Sequence, residues 1–349
     1  MLAAETNAAR GAVSTSDPDP NQSWRKIVEP VEPFLELVAR RLRDQVETFE
    51  PEIAPYAQYA LTNQGKQLRP ALVALSAGTV GRPDDRLVTA AVIIEMVHLA
   101  TLVHDDIMDE AAIRRRLPTL AANWGNQISV LLGDCLFAQA LKLAAGFPTT
   151  EVCLAVSSAT KTVCSGEILQ TNRQGRFEIS RAEYFKILQM KTAELFALSC
   201  DLGAWLGGAN AQERKTLRAF GMALGTAYQV YDDCLDIFGS EALAGKSLGT
   251  DLANGKLTLP VLVALERAGK ADAGRLKGLI SQWSGRRGGE ILDLLDRCGA
   301  LSESRTVIHD FLEAARQSLQ ELRETESRGA LMGLTRFVAQ QTDALGVKP

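Results

Sequence analysis

The sequence feature that most constrains the fold is a helical periodicity that continues from about Pro33 almost to the C-terminus. Apolar residues recur three and four positions apart, which is the spacing that places them on one face of an α-helix. Breaks such as Gly146-Phe147-Pro148 and Gly207-Gly208 separate the periodic segments, and no run of alternating β-branched residues predicts a sheet. We therefore predict helices over residues 31–50, 52–62, 69–79, 85–109, 125–145, 149–173, 180–207, 211–239, 258–268, 271–283, 287–297, 302–324 and 328–345.

The domain organisation follows from the same pattern. The chain has 349 residues, 46% of them hydrophobic, which is enough to bury a sizeable core. Residues 1–22 are rich in Ala, Ser, Thr, Asp and Pro and are predicted to form a disordered N-terminal leader. No linker divides the chain after residue 25, so residues 23–349 are predicted to form one all-α domain. The helix predicted over 85–109 is apolar nearly all round, which is typical of a helix at the centre of a bundle.

Charge and cysteine patterns argue against several classes of protein. The formal net charge is −4, so nothing in the composition indicates a nucleic-acid partner bound through a basic surface. The six cysteines are scattered without a Cys-x-x-Cys pair, which argues against a zinc site and favours a reducing, cytoplasmic compartment. The longest apolar stretch, residues 90–103, is interrupted by Glu95 and His98 and is too short to cross a bilayer, so no transmembrane segment is predicted.

Two copies of the pattern Asp-Asp-x-x-Asp lie within predicted helices, at residues 105–109 and 232–236. The first and last Asp of each copy are four residues apart and therefore share one helix face. Like charges at that spacing repel each other, which indicates that something positive is held between the two helices. Carboxylate oxygens suit Mg²⁺, which also keeps waters and substrate phosphates as ligands. The two motifs therefore predict a cavity with two carboxylate walls that grips a diphosphate through magnesium.

Cationic side chains near the first motif are candidate anion contacts. Lys66 and Arg69 straddle a predicted helix start, which is a good anion site, although a solvated basic turn gives the same pattern. His98 lies seven residues before Asp105 and shares its helix face, so it is either a diphosphate contact or a buried core histidine. The three consecutive arginines at 114–116 either neutralise the first motif locally or clamp phosphate oxygens.

The second motif has polar neighbours of its own. Gln229 lies three residues before Asp232, about one helical turn, and so shares the same wall. Lys191 and Thr192 lie on a predicted helix with apolar neighbours and would each be ordinary alone. The segment 245–256 has three glycines and two lysines, which suits a flexible flap that closes positive charge over an anion. It is not a P-loop, because it lacks the P-loop spacing and no strand precedes it.

Together these motifs resemble those of the trans-type isoprenyl (polyprenyl) diphosphate synthases, over nearly the whole chain from about residue 30 to 340. The resemblance rests on Gly-Lys-Gln-Leu-Arg-Pro at 65–70, His98, the two Asp motifs and Gly-Lys-Leu-Thr-Leu-Pro at 255–260. Shorter matches at 132–134, 166–170, 191–193 and 228–229 continue it. One Asp motif is weak evidence, since class I terpene cyclases carry one, but two with the flanking lysine motifs are strong evidence.

The resemblance implies an isoprenoid synthase fold, which is a single large helical bundle around a central cavity, in a homodimer. It implies Mg²⁺-dependent head-to-tail condensation of isopentenyl diphosphate onto an allylic diphosphate, with three Mg²⁺ ions per active site once substrate is bound. The implied catalytic residues are Asp105, Asp106, Asp109, Arg114, Lys191, Asp232 and Asp233. Magnesium is assigned to Asp105, Asp109 and Asp232, isopentenyl diphosphate to Lys66, Arg69, His98 and Arg115, and the allylic diphosphate to Arg114, Lys191, Thr192, Gln229, Lys246 and Lys256. The family usually has Gly where this chain has Arg116, so Arg116 is given no role.

The length of the product depends on how far the cavity continues behind the first motif. Ala100 and Thr101, five and four residues before Asp105, are small, whereas the family's short-product enzymes tend to have a large aromatic there. The sequence therefore predicts an all-trans product of geranylgeranyl length or longer. Three alternatives are a class I terpene cyclase, a head-to-head synthase and the regulatory small subunit of a heteromeric synthase. A cyclase has no need of Lys66 and Arg69 for a second diphosphate, and regulatory subunits tend to have lost Asp motifs.

Overall fold

A computed structural model describes residues 20–62, 65–81, 85–240, 248–283 and 287–346 of the chain. Short 3₁₀ turns at Glu29–Val31 and Gln45–Thr48, a π-helical segment at Gln189–Ala193 and two short strands complete the α-helical framework. The helices are α1 (Pro20–Val28), α2 (Glu32–Asp44), α3 (Ala54–Thr62), α4 (Leu68–Val80), α5 (Asp85–Met108), α6 (Leu120–Ala145), α7 (Glu151–Arg173), α8 (Arg181–Leu188), α9 (Glu194–Leu206), α10 (Ala211–Phe238), α11 (Thr250–Ala253), α12 (Leu259–Arg267), α13 (Lys270–Ser281), α14 (Gly288–Arg297), α15 (Ala300–Leu319) and α16 (Glu326–Asp343).

The prediction of an all-α fold is confirmed, and local signals explain where the helices begin and end. Ser180 and Asn210 start α8 and α10 with capping boxes, in which each side chain accepts a hydrogen bond from the backbone three residues later. Gly146 and Gly207 follow the last residues of α6 and α9, at two of the predicted breaks. Stop and start residues were therefore sufficient to place most helices to within a few residues.

Some predicted segments are divided or extended. The helix predicted over 180–207 consists of α8, the π-helical segment and α9. The helix predicted from 125 begins at Leu120, and its chain bends at Gly125, which adopts φ 85° and ψ 163°. Residues 1–19 of the predicted leader lie outside the described residues, and α1 begins at Pro20, before the predicted domain start at 23.

A small hairpin corrects the expectation that the chain forms no sheet. Strands β1 (Ile113–Arg114) and β2 (Leu117–Pro118) pair antiparallel directly after the first Asp motif. The two-residue loop between them is Arg115-Arg116, with φ of 51° and 66°. Positive φ at both loop residues is the type I′ geometry that matches the twist of paired strands. Four residues are too few to give the alternating pattern from which strands are predicted.

Helix α5 lies at the centre of the bundle, as its apolar sequence predicts. It packs against α2, α3, α4, α6, α7 and α9. Nearly all its residues from Leu87 to Ala100 are buried. This burial fixes the position of α5 in the core. The first Asp motif lies at the C-terminal end of this helix, beyond its fully buried part.

Three helices within the described residues, α5, α6 and α7, are long and apolar enough to cross a membrane by length and composition alone. In α5 the apolar window is 72% buried inside the protein, so the bundle itself covers its apolar surface. The corresponding windows of α6 and α7 are only 39% and 28% buried. These two helices therefore present apolar side chains on the protein surface.

Candidate active site

A cavity of about 1050 Å³ opens where the C-terminal end of α5 meets α7, the π-helical segment and α10. The loop before α4, the hairpin and the segment after α11 also contribute to its wall. Its lining includes most of the side chains singled out in the sequence: Lys66, Arg69, His98, Thr101, Asp105, Asp109, Arg114, Arg115, Lys191, Thr192, Gln229, Asp232, Asp233 and Lys256. Lys246 lies outside the described residues.

The first carboxylate wall is formed by Asp105, near the C-terminal end of α5, and Asp109, which lies one turn later, just past the last residue of that helix. Lys191 Nζ lies 4.0 Å from an Asp105 carboxylate oxygen. Lys256 Nζ donates a hydrogen bond of 2.7 Å to Asp109. Burial raises the pKa of Asp105 to about 6, against the opposing effect of Lys191. The anionic form of Asp105 is therefore only partly compensated, and a further cation beside it would stabilise that form.

The second wall is the face of α10 that carries Asp232 and Asp233. Gln229 donates a 2.8 Å hydrogen bond to Asp233 and accepts one of 2.8 Å from Thr192. Tyr184 donates a 2.6 Å hydrogen bond to the other Asp233 oxygen. The predicted residues Thr192, Gln229 and Asp233 thus form one hydrogen-bonded row, which fixes the orientation of the Gln229 amide beside Asp232.

The third Asp of the second motif, Asp236, has a different environment. Its side chain is buried and accepts hydrogen bonds of 3.0 Å from the Thr250 hydroxyl and from the Asp251 backbone N–H. Asp236 therefore holds the first turn of α11 against α10. This contact fixes the start of the segment that carries Lys256 into the cavity.

Lys191 enters the cavity from the π-helical segment, which packs closely on α7. A Cβ atom at Gly166 would lie 2.8 Å from the Lys191 backbone nitrogen, so only glycine permits this approach. Lys191 Nζ contacts the Glu167 carboxylate and donates a 2.9 Å hydrogen bond to Gln170. Single turns of π-helix occur frequently at functional sites, because the extra residue redirects side chains. Here the π turn and Gly166 place an ammonium beside Asp105.

A second group of cations gathers where the loop before α4 meets the hairpin. A Cβ atom at Gly65 would lie 2.7 Å from an Arg115 guanidinium nitrogen, so glycine allows Arg115 to approach the loop. The buried Nε of Arg69 has no hydrogen-bond partner within the described part of the chain. Burial raises the pKa of Glu95, and nearby Arg69 and Arg115 oppose this. The group therefore retains donors for an anion.

His98 belongs to this second group. Burial lowers the pKa of His98 well below its ordinary value, and the positive charges of Arg69, Arg115 and Arg114 lower it further. The imidazole is therefore neutral near pH 7, so it offers one N–H donor and one acceptor.

Two residues that the sequence analysis assigned to the site, Asp106 and Ala100, do not line the cavity. Asp106, predicted to be catalytic, is buried outside the cavity lining and accepts a 2.5 Å hydrogen bond from Arg114 Nε, so its contact with the cavity runs through Arg114. Ala100, predicted to set product length, is fully buried and is not part of the cavity wall, whereas Thr101 is. Helix geometry accounts for both positions, because adjacent residues of an α-helix point in directions about 100° apart.

The carboxylates of the cavity meet the requirements of magnesium. Among the described residues, no group of three or more His, Cys, Asp or Glu side chains is close enough to hold a metal ion alone. Mg²⁺ needs fewer protein ligands, since it commonly takes one or two carboxylates and completes its shell with waters and substrate phosphates. Asp105, Asp109 and Asp232 are hard oxygen donors that line one cavity, so they fit such an ion.

Several cavity residues had no assigned role in the sequence analysis. Glu167 and Gln170 contact Lys191, and Tyr184 contacts Asp233. Glu95 lies among the arginines of the second group. Glu167 and Gln170 are three residues apart, so a polar face on α7 was a usable signal. The sequence contained no comparable signal for Tyr184, because its partner Asp233 is distant in the chain.

Comparisons with known proteins identify the family. The sequence profile of the polyprenyl synthetase family matches residues 50–291. The short chain isoprenyl diphosphate synthase of Methanothermobacter thermautotrophicus is 32% identical over 322 residues, covering 90% of this chain and 99% of that protein. The crystal structure of a decaprenyl diphosphate synthase from Rhodobacter capsulatus superposes with a TM-score of 0.86 at 29% identity, covering 91% of this chain and 99% of that one.

A polyprenyl synthase from Caulobacter crescentus, crystallised with calcium and isoprenyl diphosphate, gives a TM-score of 0.85 at 31% identity and covers 90% of this chain and 97% of that one. These matches extend over the helices that carry both Asp motifs, and they confirm the isoprenoid synthase fold. The chain belongs to the polyprenyl synthetase family and is a polyprenyl diphosphate synthase, an enzyme that elongates prenyl chains.

Proposed function

We propose that this enzyme elongates an allylic diphosphate by Mg²⁺-dependent head-to-tail condensation with isopentenyl diphosphate, giving an all-trans polyprenyl diphosphate. One observation carries the proposal: a single cavity contains two carboxylate walls and, separately, a group of cations formed by Lys66, Arg69 and Arg115. A reaction between two diphosphates needs two anion sites in one cavity. A cyclase with one substrate needs only one.

The reaction requires charge stabilisation at the leaving group. The bond between C1 and oxygen of the allylic diphosphate breaks, its electrons leave with pyrophosphate, and an allylic cation remains. The double bond of isopentenyl diphosphate attacks this cation through C4, and loss of a proton from C2 forms the new double bond. The residues of the cavity bind and orient the two substrates, and the pyrophosphate released is a suitable base for the proton.

The two carboxylate walls share one task in this proposal, which is to hold magnesium. Asp105 and Asp109 at the C-terminal end of α5 and Asp232 on α10 would hold magnesium, in a set of three ions when the allylic substrate is bound. When bound, magnesium neutralises the charge that develops on the leaving pyrophosphate. Lys191 and Lys256 would transfer their contacts from Asp105 and Asp109 to phosphate oxygens, because they already lie beside those carboxylates.

Other predicted side chains complete the allylic site. Arg114 would present its remaining guanidinium N–H groups to the diphosphate while Asp106 holds its Nε. Thr192 and Gln229 would orient the same group from the second wall, and the role of Lys246 is assigned by the resemblance alone. Lys66, Arg69, His98 and Arg115 would bind isopentenyl diphosphate, for which the unpartnered Arg69 Nε and the neutral His98 are suitable donors.

We propose a product of geranylgeranyl length or longer. The similarity to known enzymes does not determine the product length. A short chain enzyme and a decaprenyl enzyme match this chain at 32% and 29% identity. Thr101, Phe137 and Val163 line the cavity, and of these Thr101 lies nearest to Asp105 in the sequence. The small side chain at position 101 leaves room for a growing tail to pass between α5 and α7.

The test is an incubation of purified protein with Mg²⁺, labelled isopentenyl diphosphate and each of three allylic starters: dimethylallyl, geranyl and farnesyl diphosphate. We expect incorporation of the label into products of regular five-carbon increments, measured by mass spectrometry, and loss of activity on chelation with EDTA. A terpene cyclase or a head-to-head synthase would incorporate no isopentenyl diphosphate. A regulatory subunit would be inactive alone, and Asp105→Ala would leave its cellular function intact.

We also propose that the enzyme is a cytoplasmic homodimer. The six cysteines, all within the described residues, are free, as expected in a reducing compartment. Helices α6 and α7 expose large apolar side chains, which is typical of an obligate protein interface. We call this surface the α6–α7 face and define it by Val130, Leu131, Leu141 and Leu154.

A further inference from the structure

The two cations at the start of α4 lie over aromatic rings. Lys66 Nζ is 5.2 Å from the centre of the Phe337 ring, and the Arg69 guanidinium carbon is 5.0 Å from the centre of the Phe196 ring. The face of an aromatic ring carries partial negative charge and attracts a cation without neutralising it. Partial burial lowers the pKa of Lys66, although the residue as a whole remains exposed.

The lysines near the Asp motifs are held differently. Lys191 contacts Glu167 and Asp105, and Lys256 contacts Asp109. A carboxylate partner cancels the charge of a lysine, and an incoming diphosphate must displace that carboxylate or bring a metal ion to it. An aromatic ring is neutral, so a diphosphate can bind the lysine without displacing the ring. The aromatic support therefore leaves Lys66 ready to bind an anion directly.

Phe337 is itself fixed by helices at both ends of the chain. It lies on α16, is 8% exposed, and its ring centre is 6.2 Å from that of Trp24 on α1. Helix α16 packs against both α1 and α4. Gln341, one turn after Phe337, lines the cavity, so α16 forms part of its wall. Neither α1 nor α16 lies within residues 50–291.

We propose that Phe337 is a positioning residue. Its ring holds the Lys66 ammonium in the position from which it binds the diphosphate group of isopentenyl diphosphate. Trp24 of α1 packs against the Phe337 ring and fixes its position. The inference rests on the proposed function, because it takes the second diphosphate to be bound near Lys66. The proposal implies that helices α1 and α16 contribute to the affinity for isopentenyl diphosphate.

The test compares Phe337→Leu, which removes the ring, with Phe337→Tyr, which keeps it. We expect Phe337→Leu to raise the KM for isopentenyl diphosphate about threefold to tenfold, the range of a partly desolvated cation–ring contact. Its kcat and its KM for farnesyl diphosphate stay at the wild-type values, and Phe337→Tyr matches the wild type throughout. A purely structural role for Phe337 would instead lower kcat and raise both KM values, and that result overturns the proposal.

A double-mutant cycle with Lys66→Gln identifies the partner. In the Lys66→Gln background, Phe337→Leu should have no further effect on the KM for isopentenyl diphosphate; an undiminished effect would overturn the proposal. If Phe337→Leu does not fold, Phe337→Met, which fills a similar volume without a ring, replaces it in both experiments.

Direct binding separates this inference from the proposed function. Calorimetry in EDTA measures isopentenyl diphosphate affinity without turnover, and we expect Phe337→Leu to weaken it by the same factor. Binding without condensation in the wild type would refute the function while still testing Phe337. Condensation that Phe337→Leu leaves unchanged would refute the role of Phe337 alone, and a wild type that neither binds nor condenses would refute both.

Discussion

At the scale of single residues, His98 couples protein stability to pH. Burial and the neighbouring arginines hold its pKa in the folded protein well below the ordinary value of 6.5. Below pH 6.5 the unfolded chain therefore binds a proton that the folded protein does not, so stability falls as pH falls. We expect the free energy of unfolding to decrease with a slope of up to about 1.4 kcal/mol per pH unit from this one group.

The measurement is denaturant unfolding between pH 7.5 and 5.5. The variant His98→Asn, which keeps a polar side chain but does not titrate, should show a flatter decline than the wild type. His309→Asn serves as the matched control, since His309 is exposed and lies far along the chain, bonded to Asp343 at 2.8 Å. An equal slope in His98→Asn and wild type would mean that His98 is protonated in the folded protein.

Thr101 is the residue at which we expect product length to change. It lines the cavity four residues before Asp105, whereas Ala100 is buried outside the cavity wall. Thr101→Phe should fill the passage behind Asp105 and give shorter products, read by mass spectrometry with farnesyl diphosphate as starter. Ala100→Phe is the paired variant and should mainly destabilise the core, by about 1–3 kcal/mol. Shorter products from Ala100→Phe alone would reverse the assignment of the two positions.

At the scale of elements, the hairpin after the first Asp motif contains a strained turn. Arg116 adopts φ 66°, a left-handed conformation that costs a residue with a Cβ about 1–2 kcal/mol. Glycine avoids this cost but loses about 0.5–1 kcal/mol through the greater freedom of the unfolded chain. We therefore expect Arg116→Gly to stabilise the protein by about 0.5–1 kcal/mol, measured by denaturant unfolding. A destabilised variant would show that the Arg116 side chain makes contacts that outweigh the strain.

The elements themselves were largely predictable from the sequence. Breaks at Gly146 and Gly207 and caps at Ser180 and Asn210 are local signals, and the helices follow them. The hairpin and the π-helical segment were not predictable, because two-residue strands and a single wide turn leave no periodic pattern. The π segment also packs closely against Gly166, a contact between residues distant in sequence.

At the scale of the whole molecule, spacing along single helices identified which residues meet in the cavity but not what each contacts. The face shared by His98 and Asp105 follows from helix geometry. The contact of Lys191 with Glu167 joins different elements, and so does the Phe337 ring beneath Lys66. Such contacts depend on how the helices pack against each other. The spacing of residues in a single sequence does not reveal them.

The α6–α7 face gives the last prediction, which concerns assembly. Leu131 on α6 is 55% exposed, and a glutamate there would place a charge within an apolar interface. We expect Leu131→Glu to shift the protein from dimer to monomer in sedimentation velocity at micromolar concentration, weakening association at least tenfold. Leu37→Glu is the matched control, because Leu37 is similarly exposed at 42% but lies on α2. Dimers that survive Leu131→Glu, or a monomeric wild type, would contradict the proposed interface.

The same variant connects assembly to catalysis. Helix α6 contacts the catalytic helix α5 through His104, whose Nε2 lies 3.0 Å from the Val130 carbonyl oxygen, and His104 directly precedes Asp105. Because Val130 belongs to the α6–α7 face, exposing that face to water should loosen the support behind Asp105. We therefore expect monomeric Leu131→Glu to have a lower kcat, while Leu37→Glu keeps the wild-type kcat. Full activity in the monomer would separate the interface from the reaction.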